Sequence, residues 1–103
     1  MKILHLTLKK KWFDLIASGE KKIEYREDKP HWQKRLFKNN ELAQFDEVHF
    51  RNGYGKKSPF MRVQFVGIMI THASLCNPEH GEELKPDTRY YLIMLGDVLE
   101  VQR

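Results

Sequence analysis

Cysteine is almost missing from this sequence. Of its 103 residues only Cys76 carries a thiol, so no internal disulfide can form, and a reducing, cytoplasmic setting is expected. A lone cysteine of this kind reads as a small buried hydrophobe rather than a reactive thiolate. Long apolar runs are missing too. The longest, Phe65 to Ile70, contains Gly67 and is far shorter than the roughly 20 residues that span a bilayer, so no membrane partner is expected. The earlier run from Ile3 to Leu8 is short and broken by His5, unlike a secretory leader. Clustered metal ligands are also lacking: His5, His31, His49, His72 and His80 are scattered, and Cys76 with His80 is the one close pair. Neither a metal nor a cofactor is expected from that spacing. No nucleophile elbow occurs, and "GYGKKS" (Gly53 to Ser58) misses the glycine spacing of a phosphate-binding P-loop.

What is present suffices for one folded unit over residues 1–103. The chain is 41% hydrophobic and 31% charged, with 12% aromatic residues, enough apolar material to offset chain entropy. A net charge of +4 favours an anionic partner, nucleic acid first. Ile3 to Leu8 reads as a strand buried on both faces, and Trp12, Leu15 and Ile16 follow at helical spacing until Gly19, where a positive φ ends the helix. Period two then runs from Lys21, with Ile23 and Tyr25 on its side and Lys22, Glu24 and Arg26 on the other, until Pro30. A short second helix is predicted over His31 to Phe37, ended by Asn39-Asn40. Strands follow at Val48 to Arg51, Phe60 to Thr71, Tyr90 to Leu95 and Val98 to Val101, the last two hinged at Gly96-Asp97. The elements do not alternate strictly as βαβ. The prediction is therefore an α+β fold, a small mixed β-barrel of five to six strands with two or more short helices.

Two segments are candidate sites. "RNGYGKKSP" (Arg51 to Pro59) reads either as a flexible hairpin tip or as a loop in which glycine amides, Tyr54 and Lys56 hold a phosphate and stack on a base. "SGEKKIEYRE" (Ser18 to Glu27) packs cations and carboxylates together. It reads either as a solvated charged strand, each surface ion pair contributing roughly 0 to 1 kcal/mol, or as a cleft in which Arg26 fixes Glu24 and Lys21 accepts a proton. Tyr25 and Tyr54, each beside cations, are the candidates for stacking on a base, whereas Trp12, Phe13, Trp32 and Phe50 are assigned to the core.

The pattern Gly-x-Lys-x-x-Glu-x-Arg, carried by Gly19, Lys21, Glu24 and Arg26, resembles the ASCH domain family, as do the upstream "LTLKKKWFDLIASGEK" and the late "RYYLIMLG". The fold of that family is similar to the PUA-like barrel, the RNA-binding domain of pseudouridine synthases and archaeosine transglycosylases. The resemblance implies a PUA-like barrel that binds RNA or a modified nucleoside or nucleotide in a cleft lined by Lys21, Glu24 and Arg26, to which the reading of the residues adds Tyr25, Tyr54 and Lys56 as binding candidates. One branch of the family hydrolyses N4-acetylcytidine with a lysine, a threonine and a distant glutamate. The lysine falls on Lys21, Glu24 stands where that branch has threonine, and Glu79, Glu82 and Glu83 lie in the segment of loosest likeness. Lys21 and Glu24 are thus the candidate catalytic residues of an amidohydrolase. Other relatives resemble ribonucleases, and a protein-interaction module with a charged edge strand remains open.

Overall fold

The structure is a computed structural model that describes residues 1–103. In chain order, strand β1 (Ile3–Thr7) leads to helix α1 (Lys10–Ala17), strand β2 (Ile23–Glu27), helix α2 (Pro30–Leu36) and the short strands β3 (Phe37–Lys38) and β4 (Glu41–Leu42). Strands β5 (Glu47–Arg51) and β6 (Phe60–His72) follow, then a 3-10 turn at Ala73–Leu75 and strand β7 (Arg89–Gln102). Five strands form one mixed sheet in the order β1-β5-β6-β7-β2, while β3 and β4 pair only with each other. β1 runs parallel to β5 and the remaining pairs are antiparallel.

The sheet curls into a half-barrel over its core. From it Leu4 and Leu6 of β1, Val48 and Phe50 of β5, Met61 and Val63 of β6, and Tyr91, Ile93 and Leu95 of β7 point inward. α1 adds Phe13 and Ile16, and α2 adds Leu36. β1, β5, β6 and β7 each contribute alternate residues to it, as a sheet with one buried face requires. β1 obeys the same rule: Leu4 and Leu6 are buried and His5 is exposed, so it is not buried on both faces. Pro30 starts α2 at the position where a missing N–H costs nothing.

Three expectations change. The sheet does not close into a barrel, because β1 and β2 are its two edges and no ladder joins them. They meet through a side chain instead: Arg26 Nη2 donates to the Thr7 carbonyl at 3.0 Å. β7 continues through Gly96-Asp97 as one strand, and the hinge becomes a set of register shifts against β6 between Arg62 and Gly67, which bend the pair. The Asn39-Asn40 stop is a two-residue turn, with φ of 53° and 62°, that joins β3 to β4, a hairpin too short to leave a pattern in the sequence. No helix is long and apolar enough to cross a membrane.

Candidate functional site

The turn after α1 builds the site. Gly19, at φ +83°, lets the chain reverse over the last helical turn, with its N–H bonded to Ile16 O and the Lys21 N–H bonded to Leu15 O, both at 3.0 Å. These bonds hold Lys21 outside the strand, since β2 begins only at Ile23. The predicted alternation, which put Lys21 on the face opposite Glu24 and Arg26, is therefore corrected: Lys21 turns inward and joins them. Its side chain is 1% exposed, with Nζ 5.1 Å from the centre of the Trp12 ring and 5.2 Å from that of Tyr25, inside cation–π range of both.

Four charges converge there. Lys21 Nζ lies 2.7 Å from Glu82 Oε2 and 3.8 Å from Glu24 Oε1. Glu24 Oε2 accepts from Arg26 Nη2 at 2.7 Å and from Nε at 3.0 Å, while the guanidinium rests on the Trp32 ring of α2, 5.0 Å from its centre. The other Glu82 oxygen accepts the His80 amide at 2.7 Å. Two cationic and two carboxyl side chains thus face one another largely out of water. Arg26 does fix Glu24, as one reading of the sequence held, but both of its N–H groups engage one oxygen, leaving Oε1 for Lys21.

Desolvation is costly for such groups and shifts them. Burial raises the Glu24 carboxyl above the ordinary carboxylate range, against the opposing pull of Arg26 and Lys21. At Glu82 burial pushes upward as well. There the hydrogen bond from Lys21 and the amides of Glu82 and His80 outweigh it and hold the carboxyl below its usual range. The Tyr25 hydroxyl is raised by burial and then by the charge of Glu82. Two carboxyls within one array are driven in opposite directions, an arrangement suited to splitting acid and base roles.

Two depressions are lined by Lys21, and Arg26 lines neither. One, of about 190 Å³, is lined by Trp12, Lys21, Glu24, Tyr25, Glu82 and Tyr90, among others. The other, of about 440 Å³, shares Lys21, Tyr25 and Glu82 and extends past Cys76 and His80. The Cys76 thiol is raised by burial, so it fits a half-buried wall residue and not an activated nucleophile. A further hollow of about 490 Å³ between Asp28, Lys34, Phe37 and Arg89 shares no residue with the array and lacks its buried charges.

Of the residues singled out in the sequence, Lys21, Glu24 and Arg26 come together and Tyr25 flanks them. Tyr54 and Lys56 sit on the loop between β5 and β6, and neither lines a depression that Lys21 lines. Trp12, assigned to the core, is only partly buried and walls the cleft. Glu82 was not separable from Glu79 and Glu83 in the sequence. It lies 61 residues from Lys21, in a segment without regular structure, and no periodicity marks it. No protein-family model, curated protein or solved structure matches the chain.

Proposed function

We propose that this chain is an ASCH-type domain of the PUA-like superfamily that binds RNA or a modified nucleoside in the cleft over Lys21, Glu24 and Arg26. The observation that carries the reading is the buried ion array itself. A solvated charged strand gains nothing by desolvating Lys21 and Glu24, and replacing such an array with apolar residues is often neutral or stabilising. Buried ions that stability does not demand are a mark of a working site. The dimensions support the substrate class. A depression of about 190 Å³ is below the ~300–1,000 Å³ of pockets for drug-sized ligands, so it takes a planar fragment such as a base or acyl group, with the rest of the ligand in the adjoining groove. Trp12 and Tyr25 line the depression beside a base, Glu24 accepts from an exocyclic amine, Lys21 supplies charge for a phosphate or carbonyl, and Arg26 orients Glu24 from behind. Titration of cytidine, N4-acetylcytidine and short RNA at low salt is expected to show binding that Arg26→Ala weakens at least tenfold. Absence of binding to all three, or indifference to that substitution, would sink the reading.

The contact between Lys21 and Glu82 favours a second reading, an amidohydrolase on N4-acetylcytidine, because it supplies the lysine and the distant glutamate which that branch employs. With Glu24 in place of threonine the nucleophile is water. Water oxygen bonds to the acetyl carbon as its proton passes to Lys21, whose own proton moves to Glu82. The bond from the carbonyl carbon to N4 then breaks, and Glu24, whose neutral form burial favours, protonates the departing nitrogen to yield cytidine and acetic acid, after which the proton held by Glu82 returns to Glu24 through Lys21, which lies between them. Acetate release that Glu82→Gln abolishes is the expected result. No turnover by the folded protein at high concentration would leave binding alone.

A further inference from the structure

Between Glu47 and Glu79 the chain has no acidic residue, and none precedes Asp14. The fold sews these two acid-free segments together. The Leu8 N–H donates to Arg51 O at 2.8 Å, and Asn52 Nδ2 donates to Leu8 O at 2.9 Å. The head of α1, with Lys9, Lys10 and Lys11 exposed, therefore lies beside the base of the Asn52–Ser58 loop, on which Lys56 and Lys57 are exposed. Lys10 is paired with Asp14 and Lys11 rests over Trp12, whereas Lys9, Lys56 and Lys57 make no ion pair.

That loop is specified in detail. Arg51 Nη1 donates to the carbonyls of Lys56 and Ser58 at 3.4 and 3.1 Å, while its guanidinium stacks on Phe60, 4.7 Å from the ring centre. Ser58 Oγ accepts the Gly55 N–H at 3.0 Å, and the Ser58 N–H returns a bond to Gly55 O at the same distance. Gly53 sits at φ +119°, where an added Cβ would come within 2.9 Å of Ser58 Oγ, so the tight turn excludes a side chain at that point. Within this braced frame Tyr54 is 94% exposed. An ordered loop that holds an aromatic ring in water and carries two uncompensated lysines has the composition of a stacking platform on a cationic track.

The track approaches the ion array behind the cleft, because the residue next to Leu8 is Thr7, whose carbonyl accepts from Arg26, and Arg26 in turn holds Glu24. We propose that the Asn52–Ser58 loop and the head of α1 form a second contact surface, which holds the flanking nucleotides of a single-stranded RNA whose target base occupies the cleft. The inference rests on the binding function proposed above and narrows it: the partner is a strand, not a free nucleoside. Tyr54 stacks on an unpaired base and Lys56, Lys57 and Lys9 follow the phosphates, so a duplex, whose bases offer no free face, binds less well.

The test compares a labelled single-stranded RNA octamer, the same octamer annealed to its complement, cytidine monophosphate, and anionic phosphatidylserine vesicles. Tyr54→Ala is expected to weaken octamer binding about tenfold and to leave cytidine monophosphate binding unchanged. Lys56→Gln with Lys57→Gln is expected to lower the slope of log affinity against log salt by about 1.4. Both variants change exposed side chains only, and a retained circular dichroism spectrum and melting midpoint establish that they are folded. Octamer affinity equal to the parent's in both, with Arg26→Ala still impaired, would overturn this inference and leave the cleft reading standing. Failure of the parent to bind either octamer or monophosphate would overturn both. Tyr54-dependent binding to the vesicles without binding to the octamer would assign the surface to a membrane and overturn the inference as well.

Discussion

With Lys21 replaced by methionine, the carboxylates of Glu24 and Glu82 stay in the same buried corner without the ammonium that both face. Breaking a buried ion array from one side costs about 3–5 kcal/mol, so Lys21→Met is expected to shift the denaturant midpoint markedly. Adding Glu82→Gln removes the charge left behind, and the double variant is expected to be more stable than the single one. A double variant no more stable than Lys21→Met would mean that the pair does not act as a unit. The two carboxyls also make opposite pH predictions. Glu82 is held below its ordinary value of 4.5, so the stability it contributes is present above that value and is lost as pH falls through the lowered one. Glu24 is raised above 4.5, so its contribution is present below that value and fades as pH rises through the raised one. Between pH 6 and pH 3, Glu82→Gln should therefore lose less stability than the parent and Glu24→Gln more. The same slope in both variants would contradict the assignment. Gly19, Lys21, Glu24 and Arg26 were legible in the sequence because they follow one another along eight residues of chain. Glu82 was not, since only tertiary folding brings its unpatterned segment to Lys21, and the inward turn of Lys21 depended on backbone bonds that no alternation rule encodes.

The turn formed by Ser18 to Lys22 is the smallest element on which the site depends. At Gly19 an added Cβ would meet nothing within 4 Å, so the cost of a side chain there is the left-handed backbone alone. Gly19→Ala is expected to cost about 1–2 kcal/mol, and Gly19→Asn less, because asparagine tolerates that region better. Equal destabilisation by the two in thermal melts would point to a clash in place of backbone strain. Elements with long, regular patterns were predicted close to where they lie: α1 from its helical spacing, β5 and β6 from alternation, α2 from the helical spacing that follows Pro30. Failures cluster where length or regularity gave out. β3 and β4 are two residues each, below any periodic signal. At Gly96-Asp97 two turn-prone residues suggested a break, yet the Asp97 N–H is satisfied by the Gln64 side chain at 3.3 Å, which lets β7 run on past the irregularity.

At the scale of the molecule, the pairing of β2 with β7 is what brings the two halves of the site together. β1 and β2 are opposite edges of one sheet, and Arg26 of β2 reaches across to the Thr7 carbonyl of β1. Composition and element order pointed to a closed barrel. Whether a curled sheet seals depends on the strand register at its edges, which no local pattern reveals. An open cleft has a thermodynamic consequence: a ligand seated there contacts Lys21, Tyr25 and Glu82 together in the folded state and finds no such site in the unfolded chain. At a free concentration 100 times its dissociation constant such a ligand stabilises the fold by about 2.7 kcal/mol. For a domain near this size each kcal/mol raises the melting midpoint by roughly 4–8 °C. A cleft ligand is therefore expected to raise the midpoint by about 10 °C or more, and Arg26→Ala, which removes both the bridge to Thr7 and the grip on Glu24, is expected to abolish most of that shift at the same ligand concentration. Among cytidine, N4-acetylcytidine and single-stranded RNA, the probe with the greatest Arg26-dependent shift identifies the chemistry the cleft accepts. A shift that persists in Arg26→Ala would place the bound molecule elsewhere on the protein.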